Sequence, residues 1–149
     1  MATTTGSRVL RGLTAAGVLL SAAVHLQLWA QGVRVVPFIG EAFMVNAIGG
    51  LVLGVLVVAW WNPIPLLGAV AFGLGTLGAF ILSVTVGLLG FGEQASGVPQ
   101  ALAAGAEIAA IVFGIAALIA ERRPATERVD RHHPHGVLNT SPVHRAPVG

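Results

Sequence analysis

The chain has 149 residues, of which 55% are hydrophobic and only 9% charged, with a formal net charge of +2. A soluble domain carries about 25% charged residues, and so small a domain cannot hide this much apolar surface from water. The composition therefore excludes a soluble protein and predicts one integral membrane domain. Because the chain has no cysteine, it has no disulfide, thiol chemistry or cysteine-ligated metal.

Four apolar runs, each about as long as the ~20 residues that cross a hydrocarbon core, predict four transmembrane helices. We place these spans at residues 12–30, 42–61, 66–89 and 98–120. The first run lacks a small-x-small cleavage site at its end, so we expect it to stay as a span. Residues 1–11 form a leader, and the polar, proline-rich residues 121–149 predict a disordered tail. The predicted fold class is an all-α, antiparallel four-helix transmembrane bundle.

The arginines predict the orientation of the bundle. Seven of them lie on the side of the two termini: Arg8, Arg11, Arg122, Arg123, Arg128, Arg131 and Arg145. Only Arg34 lies on the other side. Since arginine is enriched in cytoplasmic segments, we expect both termini in the cytoplasm and the chain in a bacterial inner (plasma) membrane. The loops that contain the acidic residues Glu41 and Glu93 then face outward.

Each predicted span carries a polar residue at a similar depth. These residues are His25, Asn46, Ser83 and Glu107. At a rise of ~1.5 Å per residue, they lie in the outer half of the bilayer, with Glu107 deepest. The inner half of the spans has almost no polar residue. The sequence therefore predicts one polar layer shared by all four helices.

Residues four apart share a helix face, and here the polar residues share theirs with small ones. The small residues on these faces are Gly17 and Ser21; Gly50 and Gly54; Ala71, Gly75, Ala79 and Gly87; and Ala103, Ala110 and Gly114. Helices in lipid associate through small residues, so we expect the polar layer to face the bundle interior. A charged Glu107 there costs at least ~2.5–3.5 kcal/mol. Protonation or a donor lowers that cost, and a contact with His25 is the predicted pairing.

Two interpretations of the polar layer stay open: interhelical hydrogen bonds that hold the bundle together, or a ligand-binding site. No span contains a pair of metal ligands spaced along one face, so we predict no metal site and no cofactor. The tail histidines, His132, His133, His135 and His144, are interpreted as incidental. No catalytic triad, carboxylate pair or phosphate loop occurs, so enzyme activity is not predicted, although a buried His/Glu pair acting on a lipid or quinone is an alternative. Nucleic acid is excluded as a partner because no basic recognition face exists.

Short motifs resemble a known kind of protein. They are His25-Leu26, Pro37, Phe43-x-x-Asn46-Ala47-x-Gly49-Gly50 and the run from Thr85 to Glu93, TVGLLGFGE. They resemble small four-helix bacterial membrane proteins of actinobacterial type, loosely DoxX-like. The resemblance covers about residues 8–123 and implies a compact four-helix bundle. It implies no catalytic residues.

The function predicted from the sequence is that of a non-enzymatic multi-pass membrane protein. Its interior polar site opens toward the outer face and receives a small amphiphile such as a lipid or a quinone. One alternative is an accessory subunit, docked on a larger membrane complex through a small-residue stripe. The other is a proton- or cation-coupled transporter acting as a homodimer. Small multidrug exporters also have four spans, but they carry an essential acid in the first span, where this chain has none.

Overall fold

A computed structural model describes residues 5–87 and 97–122. These residues form four α-helices and one short 3-10 helix, with no strand among them. The helices are α1 (Thr5–Ala30), α2 (Ile39–Ala59), α3 (Pro63–Thr85) and α4 (Val98–Arg122), and the 3-10 helix is Val33–Val35. Each α-helix is long and apolar enough to cross a membrane. The all-α, membrane-spanning class predicted from composition is therefore supported, while Glu93 and the histidine-containing tail lie outside the described residues.

The helices do not coincide with the predicted spans at every end. Helix α1 begins at Thr5, so residues 5–11 of the predicted leader are helical. Pro63 and Pro65, which precede the predicted third span, lie in the first turn of α3, where proline's fixed φ fits and its missing N–H costs nothing. Asn62 caps this helix, since its Oδ1 accepts the backbone N–H of Ile64 at 2.9 Å. The connection between α2 and α3 is thereby reduced to residues 60–62.

Helix α1 is the central element of the bundle. It packs closely against both α2 and α4, and α3 packs against α4, whereas α2 and α3 have far less contact with each other. Half of the most apolar stretch of α1 is buried, against 22% for α2 and 17% for α3. The outer surfaces of α2 and α3 are consequently apolar and exposed, as membrane-facing helices require.

Glycines set the closest approaches between the helices. A Cβ at Gly17 of α1 would lie 2.8 Å from the carbonyl oxygen of Ala106 in α4, and one at Gly50 of α2 would lie 2.9 Å from the Cβ of Ala22 in α1. These two contacts agree with the small-residue faces predicted for α1 and α2. On α3 the close approach is made by Gly73, where a Cβ would lie 3.0 Å from the carbonyl oxygen of Glu107.

The small-residue face predicted for α3 does not pack inside the bundle. Ala71, Gly75 and Ala79 are exposed, and only Ser83 on that face is buried. The reason is that α2 and α3 stand apart, so this face borders the gap between them. Small residues four apart are compatible with close packing, but they do not decide which face of an apolar helix is used.

Arg11 of α1 is a buried cation that joins the elements at one end of the bundle. Only 2% of its surface is exposed. Its Nε and Nη2 donate to the two carboxylate oxygens of Glu121 in α4, at 2.6 and 3.0 Å. Nη1 donates to the carbonyl oxygens of Val57 and Trp60 at 2.9 and 3.1 Å, and Nη2 donates to that of Asn62 at 2.9 Å. We call this set of contacts the Arg11 clasp.

The Arg11 clasp provides hydrogen-bond donors to backbone carbonyl groups that have no donor within their own helix. The last carbonyls of a helix have no intrahelical donor, and the guanidinium group supplies one to the end of α2. Every N–H of that group is used, and its face lies 4.9 Å from the ring of Trp61. Arg11 and Glu121 both lie outside the predicted spans, so the sequence did not predict this buried polar cluster at the end of the bundle.

We expect the Arg11→Ala variant to be strongly destabilised, because the loss of one partner of a buried ion pair costs about 3–5 kcal/mol. Thermal unfolding in a mild detergent, followed by circular dichroism, measures this. Arg8→Ala is the matched control, since Arg8 is exposed on the same helix and lies 5.9 Å from the same ring of Trp61. Equal melting temperatures for the two variants would contradict the role assigned to the clasp.

Candidate functional site

The four residues of the predicted polar layer line one cavity. Its volume is about 460 Å³, and His25, Asn46, Ser83 and Glu107 reach it from α1, α2, α3 and α4 respectively. His25, Ser83 and Glu107 are 8%, 6% and 1% exposed, and Asn46 is half-buried. These four side chains are far apart in the sequence, and the four helices bring them to the same cavity.

The cavity opens between α2 and α3. Its exposed lining residues all belong to these two helices: Ala42, Val45, Ala71, Gly75 and Ala79. The lining residues from α1 and α4, in contrast, are buried or half-buried. The opening is thus apolar and made of small side chains, and the polar groups lie deeper. Three half-buried phenylalanines, Phe43, Phe72 and Phe80, complete the apolar wall.

Ser21 links the predicted pair of His25 and Glu107. Its hydroxyl donates to Oε1 of Glu107 at 3.2 Å and lies 3.4 Å from Nδ1 of His25. Nδ1 of His25 lies 2.8 Å from the backbone carbonyl oxygen of Ser21, one turn earlier in α1. Ser21 itself is fully buried. The predicted interaction between α1 and α4 therefore includes a serine that the predicted site lacked.

The hydrogen bonds determine which nitrogen of His25 carries the proton. A carbonyl oxygen only accepts, so the short contact to Ser21 requires a proton on Nδ1. In the neutral ring, Nε2 is then an acceptor. No described residue donates a hydrogen bond to it. The ring is held against Phe43, with centroids 4.9 Å apart and planes tilted by 52°.

The same reasoning orients the side-chain amide of Asn46. The hydroxyl of Thr76 in α3 donates to the carbonyl oxygen of Phe72 at 2.8 Å, so its oxygen is free only to accept. Asn46 Nδ2 lies 3.1 Å from that oxygen and must be the donor. Oδ1 of Asn46 is buried and has no hydrogen-bond partner among the described residues. This bond also spans α2 and α3 across the gap.

Other predicted residues lie away from the cavity. Glu41 is exposed in the first turn of α2 and does not line the cavity, and Glu93 lies outside the described residues. Thr76 and Gln100 line the cavity and were not predicted. Thr76 lies three residues before Ala79 on α3, so including the i+3 spacing in the predicted face would have found it. Gln100 was overlooked because it stands near the start of its span.

Metal binding finds no support in the described ranges. No group of three histidine, aspartate or glutamate side chains is placed there to hold a metal ion. The polar groups of the cavity are two hydroxyls, an imidazole, two amides and a carboxyl group. They are suited to hydrogen bonding with an organic head group.

The fold and the cavity define the class of this protein: four helices long and apolar enough to cross a membrane, with a cavity whose exposed lining lies on α2 and α3. Similarity to known proteins does not define a narrower class. No protein-family model matches the chain, and no curated protein or solved structure matches it either. The resemblance to DoxX-like proteins therefore stays a prediction, and the class is supported by the four apolar helices alone.

We expect Ser21→Ala to destabilise the protein by about 1–3 kcal/mol, because it removes a buried donor to Glu107. The melting temperature in mild detergent measures this loss. Thr85→Ala is the matched control: Thr85 is exposed and its hydroxyl donates to carbonyls of its own helix, 2.7 Å away at Ile81. Its loss should change stability by no more than about 0.5 kcal/mol. A Ser21→Ala variant as stable as this control would show that the link between α1 and α4 contributes little.

Proposed function

We propose that this chain is a small multi-pass membrane protein whose cavity binds a small amphiphile, such as a lipid or a quinone. One observation carries the proposal: the cavity has an apolar mouth between α2 and α3 and a polar wall formed with α1 and α4. An amphiphile has the same polarity, with a polar head and an apolar tail. The cavity volume of about 460 Å³ falls within the ~300–1,000 Å³ typical of ligand pockets.

The placement in the membrane supports entry from the bilayer. The start of α1 contacts the ends of α2 and α4 through the Arg11 clasp, which supports an antiparallel bundle. Trp60 and Trp61 lie at this end, and Trp29 lies at the other end, 6.0 Å from the Arg34 guanidinium. Since tryptophans prefer the membrane interfaces, the gap between α2 and α3 faces lipid. With the termini cytoplasmic, the cavity lies in the outer half of an inner (plasma) membrane.

Gly75 provides a direct test of the cavity as a binding site. It lines the cavity, and a Cβ at this position meets no atom within 4 Å, so a larger side chain is accommodated without disturbing the backbone. We expect Gly75→Leu to fill the mouth and to reduce the lipid or quinone retained by the purified protein. Native mass spectrometry and quantification of solvent extracts measure this retention.

Gly78→Leu is the matched control for this test. Gly78 is also exposed on α3 and equally open, but it does not line the cavity. Both substitutions replace glycine in a helix and therefore raise helix propensity alike. Equal retention in the two variants, or no retained amphiphile in the unsubstituted chain, would contradict the proposed function.

A second candidate function is that of an accessory subunit in a larger membrane complex. One observation favours it: Ala71, Gly75, Gly78 and Ala79 form an exposed small-residue surface on α3. In lipid such surfaces allow a partner helix to approach closely. A partner helix on this surface would cover the mouth of the cavity.

The same pair of variants separates the two candidates. For an accessory subunit we expect another membrane protein to co-purify at fixed stoichiometry in mild detergent. Gly78→Leu should then release that protein, because the added side chain blocks helix contact outside the cavity. If Gly78→Leu changes neither protein nor ligand content while Gly75→Leu removes the ligand, the accessory function is contradicted.

A further inference from the structure

We infer that the amphiphile bound in the cavity carries a hydroxyl donor on its head group, as a phenol or a quinol does. This inference depends on the proposed function and narrows its ligand. It distinguishes a head group that donates a hydrogen bond from one, such as a quinone or an ester, that only accepts. The inference follows from the hydrogen bonds that side chains around the cavity already donate within the protein.

The imidazole of His25 provides the acceptor. Its Nδ1 proton is committed to the carbonyl oxygen of Ser21 at 2.8 Å, so the lone pair of the neutral ring lies on Nε2. No described residue donates to that nitrogen. A hydroxyl from a ligand supplies the missing donor, whereas a carbonyl oxygen would meet a lone pair.

Two neighbouring hydroxyls, those of Ser21 and Thr76, already donate their protons within the protein. Ser21 donates to Glu107 at 3.2 Å, and Thr76 donates to the carbonyl oxygen of Phe72 at 2.8 Å. Asn46 has one further N–H beyond its bond to Thr76, but its Oδ1 is buried without a partner among the described residues. A ligand hydroxyl is able to donate to the imidazole of His25 and to accept from this N–H of Asn46. It therefore suits both side chains.

The apolar wall favours an aromatic carrier for the hydroxyl. Phe43, Phe72 and Phe80 line the cavity beside the polar wall. Aromatic rings make favourable tilted or offset contacts with one another. A phenol ring with an alkyl tail therefore places its hydroxyl toward His25 and its tail toward the gap between α2 and α3.

Two ligands that differ in the hydroxyl donor and in one methyl group test this inference. We would measure the dissociation constants of 4-decylphenol and of its methyl ether, 4-decylanisole, for the full chain in lipid nanodiscs by isothermal titration calorimetry. We expect the phenol to bind about tenfold more tightly, the value of one buried hydrogen bond. Equal affinities, or tighter binding of the ether, would overturn the inference while leaving amphiphile binding in place. If neither ligand binds, the proposed function is overturned as well.

The His25→Phe variant separates hydrogen bonding from size, because the ether is also larger by one methyl group. This variant keeps an aromatic ring but removes Nε2. We expect the phenol to lose its advantage while the ether binds as before. A preference that persists in a His25→Phe variant of normal melting temperature would contradict the role of His25. If that variant does not fold, the ligand pair on the unsubstituted chain still decides the inference, and Thr85→Ala serves as the control for substitution outside the cavity.

Discussion

The structure depends on the satisfaction of polar groups within an apolar helix bundle. Lipid surrounding the helices provides no hydrogen bonds, so a buried donor or acceptor without a partner in the protein is costly. Helix α1 provides such partners near both of its ends. Arg11 binds the ends of α2 and α4 at one end, and Ser21 reaches Glu107 of α4 toward the other. The buried face of α1 is therefore the axis around which the other three helices are arranged.

The cavity follows from the uneven distribution of these contacts. The Arg11 clasp holds α2, the connection to α3, and α4 together at one end. Farther along, α1 and α4 approach through Gly17, while α2 and α3 are joined by a side-chain hydrogen bond from Asn46 to Thr76. The exposed small residues of α3 line the cavity, where α2 and α3 have little contact, so that face does not pack inside the bundle as predicted.

Much of the fold was predictable because it follows from short-range patterns. Hydropathy located four membrane-spanning helices, and a period of four residues placed His25, Asn46, Ser83 and Glu107 toward one interior. The orientation of α3 was not predictable, since a helix that is apolar all round has no preferred face. The pairing of Arg11 with Glu121 was not predictable either, because it joins residues 110 positions apart that were both assigned to flanking segments. The DoxX-like resemblance contributed no site residue, so the cavity rests on periodicity and packing.

The contrast between the two polar clusters bears on whether the cavity layer is structural or binds a ligand. In the Arg11 clasp every N–H of the guanidinium group has an acceptor, as a purely structural cluster requires. In the cavity, Oδ1 of Asn46 is buried and has no hydrogen-bond partner among the described residues. A buried polar group without its hydrogen bond costs about 1–3 kcal/mol. A bundle held only by its own contacts gains nothing from that cost, whereas a binding site recovers it when a ligand supplies the donor. The incomplete hydrogen bonding of the cavity layer thus favours a ligand over structure alone.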